Sequence, residues 1–392
     1  MRSPFRAFAP GLLVVLLCLA ITPSGSALRA EARIPGPPAV VADDASEDAT
    51  ASNNQVKLVR EPSGRLLVAY VQMAGGPPQV MLAAASDGGR HWAPLARASG
   101  GPVPSRLPAL ARDAQGRIHV IWTRYDDGIG KIYYRVWNGG WTAPQTRISP
   151  PSGYAGYPAL AADRAGHAQV VWYGIRSAPE PASTRHGSIY EIFYTGFDGR
   201  AWSQPALIST GAPDSVNPAL AVDRTGRLHA AWYQLAEHAY QVRYAERNGA
   251  WSAPETVLPT KVDAFNPDLA VGPGDGAVVA WEHHDGLMSA IYYARRAGGR
   301  WDGPTVLSAG EPPAHHPAVT VAPGGAVYVA WDDDRGRISV RRFGTGWDPV
   351  TTLATDGGNT FPSILASAAG TDVVWTHIGQ GRPQVRYLGL PP

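Results

Sequence analysis

Hydrophobic and polar residues alternate in short runs along most of this chain, and residues 217–257 show the pattern clearly. The runs PALAV, RLHAAWY and YQVRYAE alternate, and the stretch closes with WSAPETVL. Turn residues separate the runs, with DRTG after the first and RNGA after the third. A period of two, broken by Gly, Asp and Asn, predicts β-strands joined by tight turns. The stretch is therefore predicted to be a four-stranded antiparallel meander, and no run has the period of a helix.

The same phrase recurs along the chain with a period near 50 residues. NPALAVDRTGRLHAAWYQ at Asn217 is repeated as LPALARDAQGRIHVIWTR at Leu107 and YPALAADRAGHAQVVWYG at Tyr157. Three further copies follow downstream, and a weaker one begins at Val56 with Tyr70 in place of tryptophan. Repeats of this size usually build one closed or stacked body. We expect a single domain over 33–392, with units that start near residues 56, 106, 157, 217, 266, 316 and 361.

Twelve of the thirteen tryptophans occupy two repeated positions. One series ends the predicted second strand, at Trp122, Trp172, Trp232, Trp281, Trp331 and Trp375. The other opens the predicted fourth strand, at Trp92, Trp141, Trp202, Trp251, Trp301 and Trp347. Such regular placement favours packing between neighbouring sheets over a role in ligand stacking.

Seven four-stranded meanders of even length predict an all-β, seven-bladed β-propeller, with an open solenoid as the alternative. The chain ends distinguish the two. The last copy stops at QVRYLGLPP, after its third strand, whereas PPAVVADD before the first copy is similar to GPTVLSAG in a fourth strand. Residues 38–42 are therefore predicted to supply the fourth strand of the last blade, which closes the ring and leaves no open edge.

The first 32 residues have the anatomy of a secretory signal peptide. Arginines come first, an apolar run spans residues 11–21, and small residues follow, with cleavage expected after Ala27 or Ala32. A membrane anchor is the alternative, but the run is shorter than the roughly 20 residues that a span needs. We expect a secreted or periplasmic protein with no membrane span in the mature chain.

Composition narrows the function further. At 44% apolar and 9% aromatic residues the chain is too apolar for disorder. The leader carries three arginines and one glutamate, so its removal takes the formal net charge from +2 to zero. Because the mature chain is neutral, we do not expect it to bind nucleic acid. Cys18 lies in the leader and is the only cysteine, so the mature chain has no disulfide and no thiolate metal site. We expect a monomer.

The stretch ASDGGRHW at Ala85 resembles the Asp-box of sialidase-like (BNR) repeat propellers of the secreted bacterial type. Asp87, Gly89 and Trp92 match the motif, and Ala85 replaces its hydroxyl residue. The resemblance implies that the aspartate stabilises the turn between the third and fourth strands, as a marker of the fold. It also implies an arginine on an early inner strand, further arginines that hold a substrate carboxylate, and a Tyr–Glu nucleophile pair. RIP at Arg33 precedes the repeats, whereas RLP at Arg106 opens an inner strand as the family motif does.

In a propeller, binding residues are expected around one mouth of the central channel, after the second strands and at the starts of the inner strands. The candidates for catalysis are Arg106, Arg124, Asp126, Arg176, Tyr233, Glu282 and Asp332. The candidates for ligand binding are Tyr157, Tyr173, Glu237, His283, Asp333 and His377. These loops differ between blades while the strands repeat, which predicts a lopsided site. The insertion 174–187 is a candidate lid or a solvated loop.

This mixture of carboxylates, arginines, imidazoles and tyrosines suits a polar ligand such as a glycan. Our first interpretation is a non-catalytic glycan or cell-surface binding module. A glycoside hydrolase of the sialidase type, or a lyase, acting on acidic sugars is the alternative, because pairs such as Glu282 and Asp332 can meet across the mouth. A protein-interaction scaffold is the third. We expect no cofactor and no metal, since consecutive strand residues such as EHHD at Glu282 point to opposite faces.

Overall fold

The computed structural model describes residues 36–392, except for residues 53, 74, 178–187, 210–213, 237, 275 and 287. The predicted signal peptide and most of the 174–187 insertion lie outside the described residues. Within these described residues, twenty-nine β-strands form seven antiparallel sheets, each containing four or five strands. No helix in this part of the chain is long and apolar enough to cross a membrane. The predicted seven-bladed, all-β propeller is confirmed.

Blades 1 to 3 each run in chain order from the channel outward. Blade 1 contains β2 (Leu58–Arg60), β3 (Leu66–Gln72), β4 (Gln79–Ala85) and β5 (Ala93–Arg97). Blade 2 contains β6 (Ser105–Arg112), β7 (Ile118–Asp126), β8 (Ile129–Trp137) and β9 (Thr146–Arg147). Blade 3 contains β10 (Ala155–Ala162), β11 (Ala168–Ser177), β12 (Ser188–Gly196) and β13 (Ala206–Leu207).

Blades 4 to 6 follow the same order, but the outer position of blade 4 is split into two short strands that both pair with its third strand. Blade 4 contains β14 (Ser215–Val222), β15 (Leu228–Ala236), β16 (Ala239–Asn248), β17 (Ala250–Trp251) and β18 (Glu255–Thr256). Blade 5 contains β19 (Asp263–Val271), β20 (Ala277–Asp285), β21 (Met288–Ala297) and β22 (Arg300–Val306). Blade 6 contains β23 (Ala314–Val321), β24 (Val327–Asp333), β25 (Ile338–Phe343) and β26 (Thr351–Ala354).

Blade 7 joins the two ends of the chain. Its strands are β27 (Asn359–Ser367), β28 (Gly370–His377), β29 (Gln384–Leu390) and, in the outer position, β1 (Ala39–Ala42). The pairing is antiparallel, with Ala39 opposite Tyr387 and Ala42 opposite Val385. The predicted closure of the ring by the N-terminal strand is therefore confirmed, and the edge of β29 is covered.

The tryptophans pack between blades as predicted. The six that end the second strands are at most 3% exposed. Trp122, for example, lies in one apolar cluster with Leu67 and Leu82 of the preceding blade. Five of the six fourth-strand tryptophans contact a tyrosine of the preceding blade edge to face, as Trp301 does with Tyr244 at 5.2 Å between ring centroids. Repeated aromatic contacts of this kind stabilise each blade–blade interface.

A second repeated contact lies at the far end of the blades, opposite the mouth. In blade 4 the sequence Asp-x-x-Gly-x-x-His places Asp223 in the turn and His229 on the second strand. The His229 ring bonds Tyr244 Oη at 2.6 Å and Asp223 Oδ2 at 3.3 Å. Burial lowers the pKa of His229, although Asp223 acts to raise it. Blade 2 repeats the arrangement, with His119 bonded to Tyr134 and Asp113.

The inner strands of blades 2 to 7 all carry a β-bulge at the residue before the repeated proline. The register shifts there in every one of these strands. The residues before the proline have a left-handed backbone conformation, with φ between 47° and 57°. They are Leu107, Tyr157, Asn217, Asn266, His316 and Phe361. Such a conformation is costly for a residue with a Cβ and marks a backbone held by its surroundings.

Residues 45–52 and 54–57, which we call the channel segment, close the channel just below these bulges. Asn54 Nδ2 donates to Pro218 O at 2.7 Å, Gln55 Nε2 to Pro158 O at 2.8 Å, and Lys57 Nζ to Pro108 O at 2.6 Å. Thr50 Oγ1 donates to Phe361 O at 2.8 Å. A bulge leaves backbone groups out of the ladder, so these side chains supply the missing partners. The segment is the floor of the mouth.

Candidate functional site

One side of the channel mouth is aromatic. Tyr157 stacks on Tyr173 with ring centroids 5.1 Å apart, and Tyr190 meets Tyr173 edge to face at 5.5 Å. In the next blades Tyr233 and Phe265 pack edge to face at 5.4 Å. Tyr157, Tyr173, Tyr233 and Phe265 are all half-buried, so part of each ring faces the mouth. We call these four residues the aromatic wall.

A chain of hydrogen bonds begins beside the aromatic wall and runs across blades 4 to 6. Asn217 Nδ2 donates to Asn266 Oδ1 at 2.9 Å, and Asn266 Nδ2 donates to Glu282 Oε1 at 2.9 Å. The backbone N–H of His316 also donates to Glu282 Oε1, at 2.8 Å. Glu282 is only 4% exposed, and its second oxygen, Oε2, lies 3.2 Å from His284 Nε2. The carboxylate thus has close partners at both of its oxygens.

The series of hydrogen bonds continues into blade 7 through Asp332. Its carboxylate lies 3.0 Å from His316 Nδ1 and accepts a hydrogen bond from Thr360 Oγ1 at 3.0 Å. The His316 ring also packs on Phe361, with centroids 4.3 Å apart. We call Asn217, Asn266, Glu282, His316, Asp332 and Thr360 the polar network.

Burial and close partners shift the pKa values of this network in different directions. Burial acts to raise the pKa of Glu282, but the nearby side chains of His284, His315, His316 and Asn266 together outweigh it and hold the pKa well below its usual range. The contact with Glu282 raises the pKa of His315 to about 9. Burial raises the pKa of Asp332, although His316 acts to lower it. The pKa of His316 is raised because Asp332 outweighs its burial.

Arg106 lies at the mouth between the aromatic wall and the chain ends. Its guanidinium pairs with Asp48 of the channel segment, and both side chains are about one-third exposed, at 30% and 36%. Both residues line an open cleft of about 460 Å³, together with Met73 and Pro383. An arginine in such a position can hold an acidic group of a ligand if that group replaces Asp48.

The other predicted arginines do not join Arg106 in the part of the chain that the structure describes. Arg106 pairs with Thr123 across the strands, and Arg124 pairs with Ser105, so the two guanidiniums leave opposite faces of the blade. Arg124 Nε instead lies 2.7 Å from Asp126, and its guanidinium covers the Tyr133 ring. The Arg176 side chain is outside the described residues, as is Glu237.

Three other candidates lie apart from the polar network. His283 faces the opposite side of its strand and stacks on Tyr292 at 4.1 Å. Asp333 is 5% exposed and accepts hydrogen bonds from the backbone N–H groups of Arg335 and Arg337, which makes it a turn residue. His377 Nδ1 lies 3.0 Å from Asn359 Oδ1.

Asp87 lies in the turn between β4 and β5, on the face away from the mouth. Its Oδ1 accepts hydrogen bonds from the backbone N–H groups of Arg90 at 2.9 Å and His91 at 3.1 Å. Trp92 Nε1 donates to Gly89 O at 2.9 Å. A Cβ at Gly89 would lie 2.1 Å from the Tyr387 ring, and the backbone there has φ +88°, so glycine is required on both grounds.

Two residues at this site, His315 and Asp48, were not among the candidates expected from the sequence. Consecutive strand residues normally point to opposite faces, so His315 and His316 would not be expected to face the same mouth. The bulge at His316 breaks this alternation, so both imidazoles contact acids of the mouth. The signal was present as the doublet HHP, where the other units have RL, GY, VN, FN or TF before the proline. No sequence signal placed Asp48 beside Arg106.

No protein-family model and no curated protein matches this chain. Similar solved structures include an ulvan lyase of a new polysaccharide lyase family, bound to -[GlcA(1-4)Rha3S]-. It is 12% identical with a TM-score of 0.64 and covers 90% of this chain and 96% of that chain. An α-L-arabinofuranosidase of Fusarium graminearum in complex with arabinobiose is 12% identical, with a TM-score of 0.53 and coverages of 91% and 98%. A Hadza microbial sialidase is 13% identical, with a TM-score of 0.51 and coverages of 83% and 73%. At these identities the likeness shows a shared fold alone.

Proposed function

We propose that the protein is exported and binds a glycan at the channel mouth, as a non-catalytic binding module. One observation carries the proposal: the aromatic wall and the polar network face the same mouth from adjacent blades. Aromatic faces cover the apolar C–H side of a sugar ring, while amides, carboxylates and imidazoles bond its hydroxyl groups. Export follows from the predicted signal peptide and is part of the proposal.

The lopsided arrangement supports an extended ligand over a small symmetric one. Stacked rings occupy blades 3 to 5, and hydrogen-bonding groups occupy blades 4 to 7. The channel segment closes the floor, so a ligand lies across the mouth and does not thread through the ring. Each of the three similar structures is named for a protein that acts on carbohydrate, which agrees with this choice of ligand.

The test is a glycan array probed with the full mature chain, followed by titration calorimetry on any oligosaccharide that binds. We expect saturable binding that Tyr173→Ala weakens by about 5- to 150-fold, because stacking of a ring on an aromatic side chain contributes about 1–3 kcal/mol. Phe197→Ala is the matched control, since Phe197 lies at the far end of the same blade. A broad array without signal, or equal losses in both variants, would contradict the proposal.

Glycoside hydrolysis is the second candidate function. It is favoured by Glu282 and Asp332, two carboxylates from adjacent blades that both contact His316. Hydrolysis of a glycosidic bond needs two such groups on either side of the bond. The test is release of reducing sugar from the bound oligosaccharide. If Asp332→Asn abolishes this release but still binds the oligosaccharide, hydrolysis is the function and the non-catalytic proposal is wrong. Arg106 and Arg124 do not converge, so the described residues favour no sialidase-type carboxylate grip.

A further inference from the structure

Glu282, His284 and His315 bring three potential metal ligands to one point on the rim of the mouth. Glu282 and His284 are two residues apart on β20 and therefore share a face, while His283 between them faces the other way. His315 comes from β23 of the next blade, beside the bulge. The ligand atoms of the three residues all lie within 4.8 Å of one another.

The two distances from Glu282 to the imidazoles suit ligands of one shared ion. Glu282 Oε2 lies 3.2 Å from His284 Nε2 and 3.7 Å from His315 Nδ1. Charge-assisted N–H···O bonds are shorter, at about 2.7–2.9 Å. Two ligand atoms at about 2.0–2.1 Å from a tetrahedral zinc ion are about 3.3 Å apart, between the two observed values.

The groups behind the ligands are arranged as they are around metal ions. Glu282 Oε1 is held by Asn266 Nδ2 and by the His316 backbone N–H, so that Oε2 is turned toward the two imidazoles. His315 Nε2 lies 2.9 Å from Asp334 Oδ1. A ligating histidine commonly donates its second N–H to a carboxylate, which fixes the tautomer and the ring orientation. With an ion on Nδ1, the Nε2–H of His315 would donate to Asp334.

We propose that Glu282, His284 and His315 bind one divalent transition-metal ion of the zinc class, with a further coordination position open to the mouth. Two nitrogen ligands and one oxygen ligand favour zinc or a similar ion over calcium or magnesium, which take oxygen ligands. The two imidazole side chains are 31% and 27% exposed, so the ion has access from solvent. The proposal departs from the sequence-based expectation of no metal. It is independent of the glycan proposal, because either can fail alone.

The experiment titrates zinc chloride into the chelator-treated full mature chain by calorimetry, with cobalt(II) chloride and visible absorption as a second probe. We expect one ion per chain and a cobalt spectrum typical of four-coordinate nitrogen and oxygen ligands. His315→Ala should weaken zinc binding by more than a hundredfold, and Asp334→Ala by about 10–100-fold, since it removes only the carboxylate behind the ligand. His91→Ala is the matched control, because His91 pairs with Asp87 on the opposite face of the propeller and should bind no ion.

The thermal midpoint of each variant in chelator shows whether it is folded. If His315→Ala fails to fold, Asp334→Ala carries the test, because Asp334 is 59% exposed on the surface. Absence of stoichiometric zinc binding, or the same affinity in Asp334→Ala and His91→Ala, would overturn the proposal. Glycan binding that persists in the metal-free protein leaves the proposed function intact.

Discussion

The closing strand β1 allows a sharp test of the ring, because two neighbouring valines on it have opposite environments. Val41 is 5% exposed and packs in one apolar cluster with Leu58, Tyr70 and Val385. Val40, one residue earlier, is 45% exposed. Truncation of either valine to alanine removes the same atoms from the same strand.

The expected cost follows from burial. Val41→Ala removes two buried methyl groups, and burial of each contributes about 0.8 kcal/mol to the free energy of unfolding. A cavity left in the cluster adds to this loss, so we expect the free energy of unfolding to fall by about 2–3 kcal/mol. Val40→Ala should change it by less than about 0.5 kcal/mol, as surface substitutions do.

Urea unfolding, monitored by tryptophan fluorescence, gives the free energy of unfolding of both variants, since the buried tryptophans report on the blade interfaces. Equal effects of Val40→Ala and Val41→Ala would refute the packing of β1 against blade 7.

A chain that starts at residue 43 gives a second measurement. It uncovers the edge of β29, so we expect it to self-associate in sedimentation experiments while the chain that starts at residue 33 does not.

Two further predictions concern the mouth and the far ends of the blades. Asp48→Asn releases the Arg106 guanidinium, so affinity for oligosaccharides that contain uronic acid should rise by about two- to fivefold, the scale of an exposed ion pair, with no change for neutral ones. Equal changes for both classes in calorimetry would contradict this. Burial lowers the pKa of His229, so the unfolded state binds the proton more tightly and stability should fall as the pH drops through about 6.5. His229→Gln should flatten the dependence of the urea midpoint between pH 7.5 and 5, and an unchanged slope would contradict the assignment.

The extent of correct prediction differs between the fold and the site. The strands, the number of blades and the packing of the tryptophans followed from a repeated pattern, because each unit makes the same contacts as its neighbours. The mouth did not repeat, and the sequence predicted only that its loops differ from blade to blade. Which loops meet was beyond the pattern: Glu282 and Asp332 share His316, whereas Asp333 and His283 turned away from them.

By itself, the sequence determined a closed ring of seven sheets, because alternation, turn residues and an unpaired strand at each end leave few ways to bury the apolar faces. Only the tertiary structure decided what lies at the mouth. The left-handed residues before the prolines break the alternation of side chains, and so bring His315 to Glu282. The channel segment closes the floor because the same bulges leave carbonyl groups that need donors from elsewhere in the chain. Both effects depend on backbone geometry and on contacts between distant residues, which local patterns of hydrophobic and polar residues do not encode.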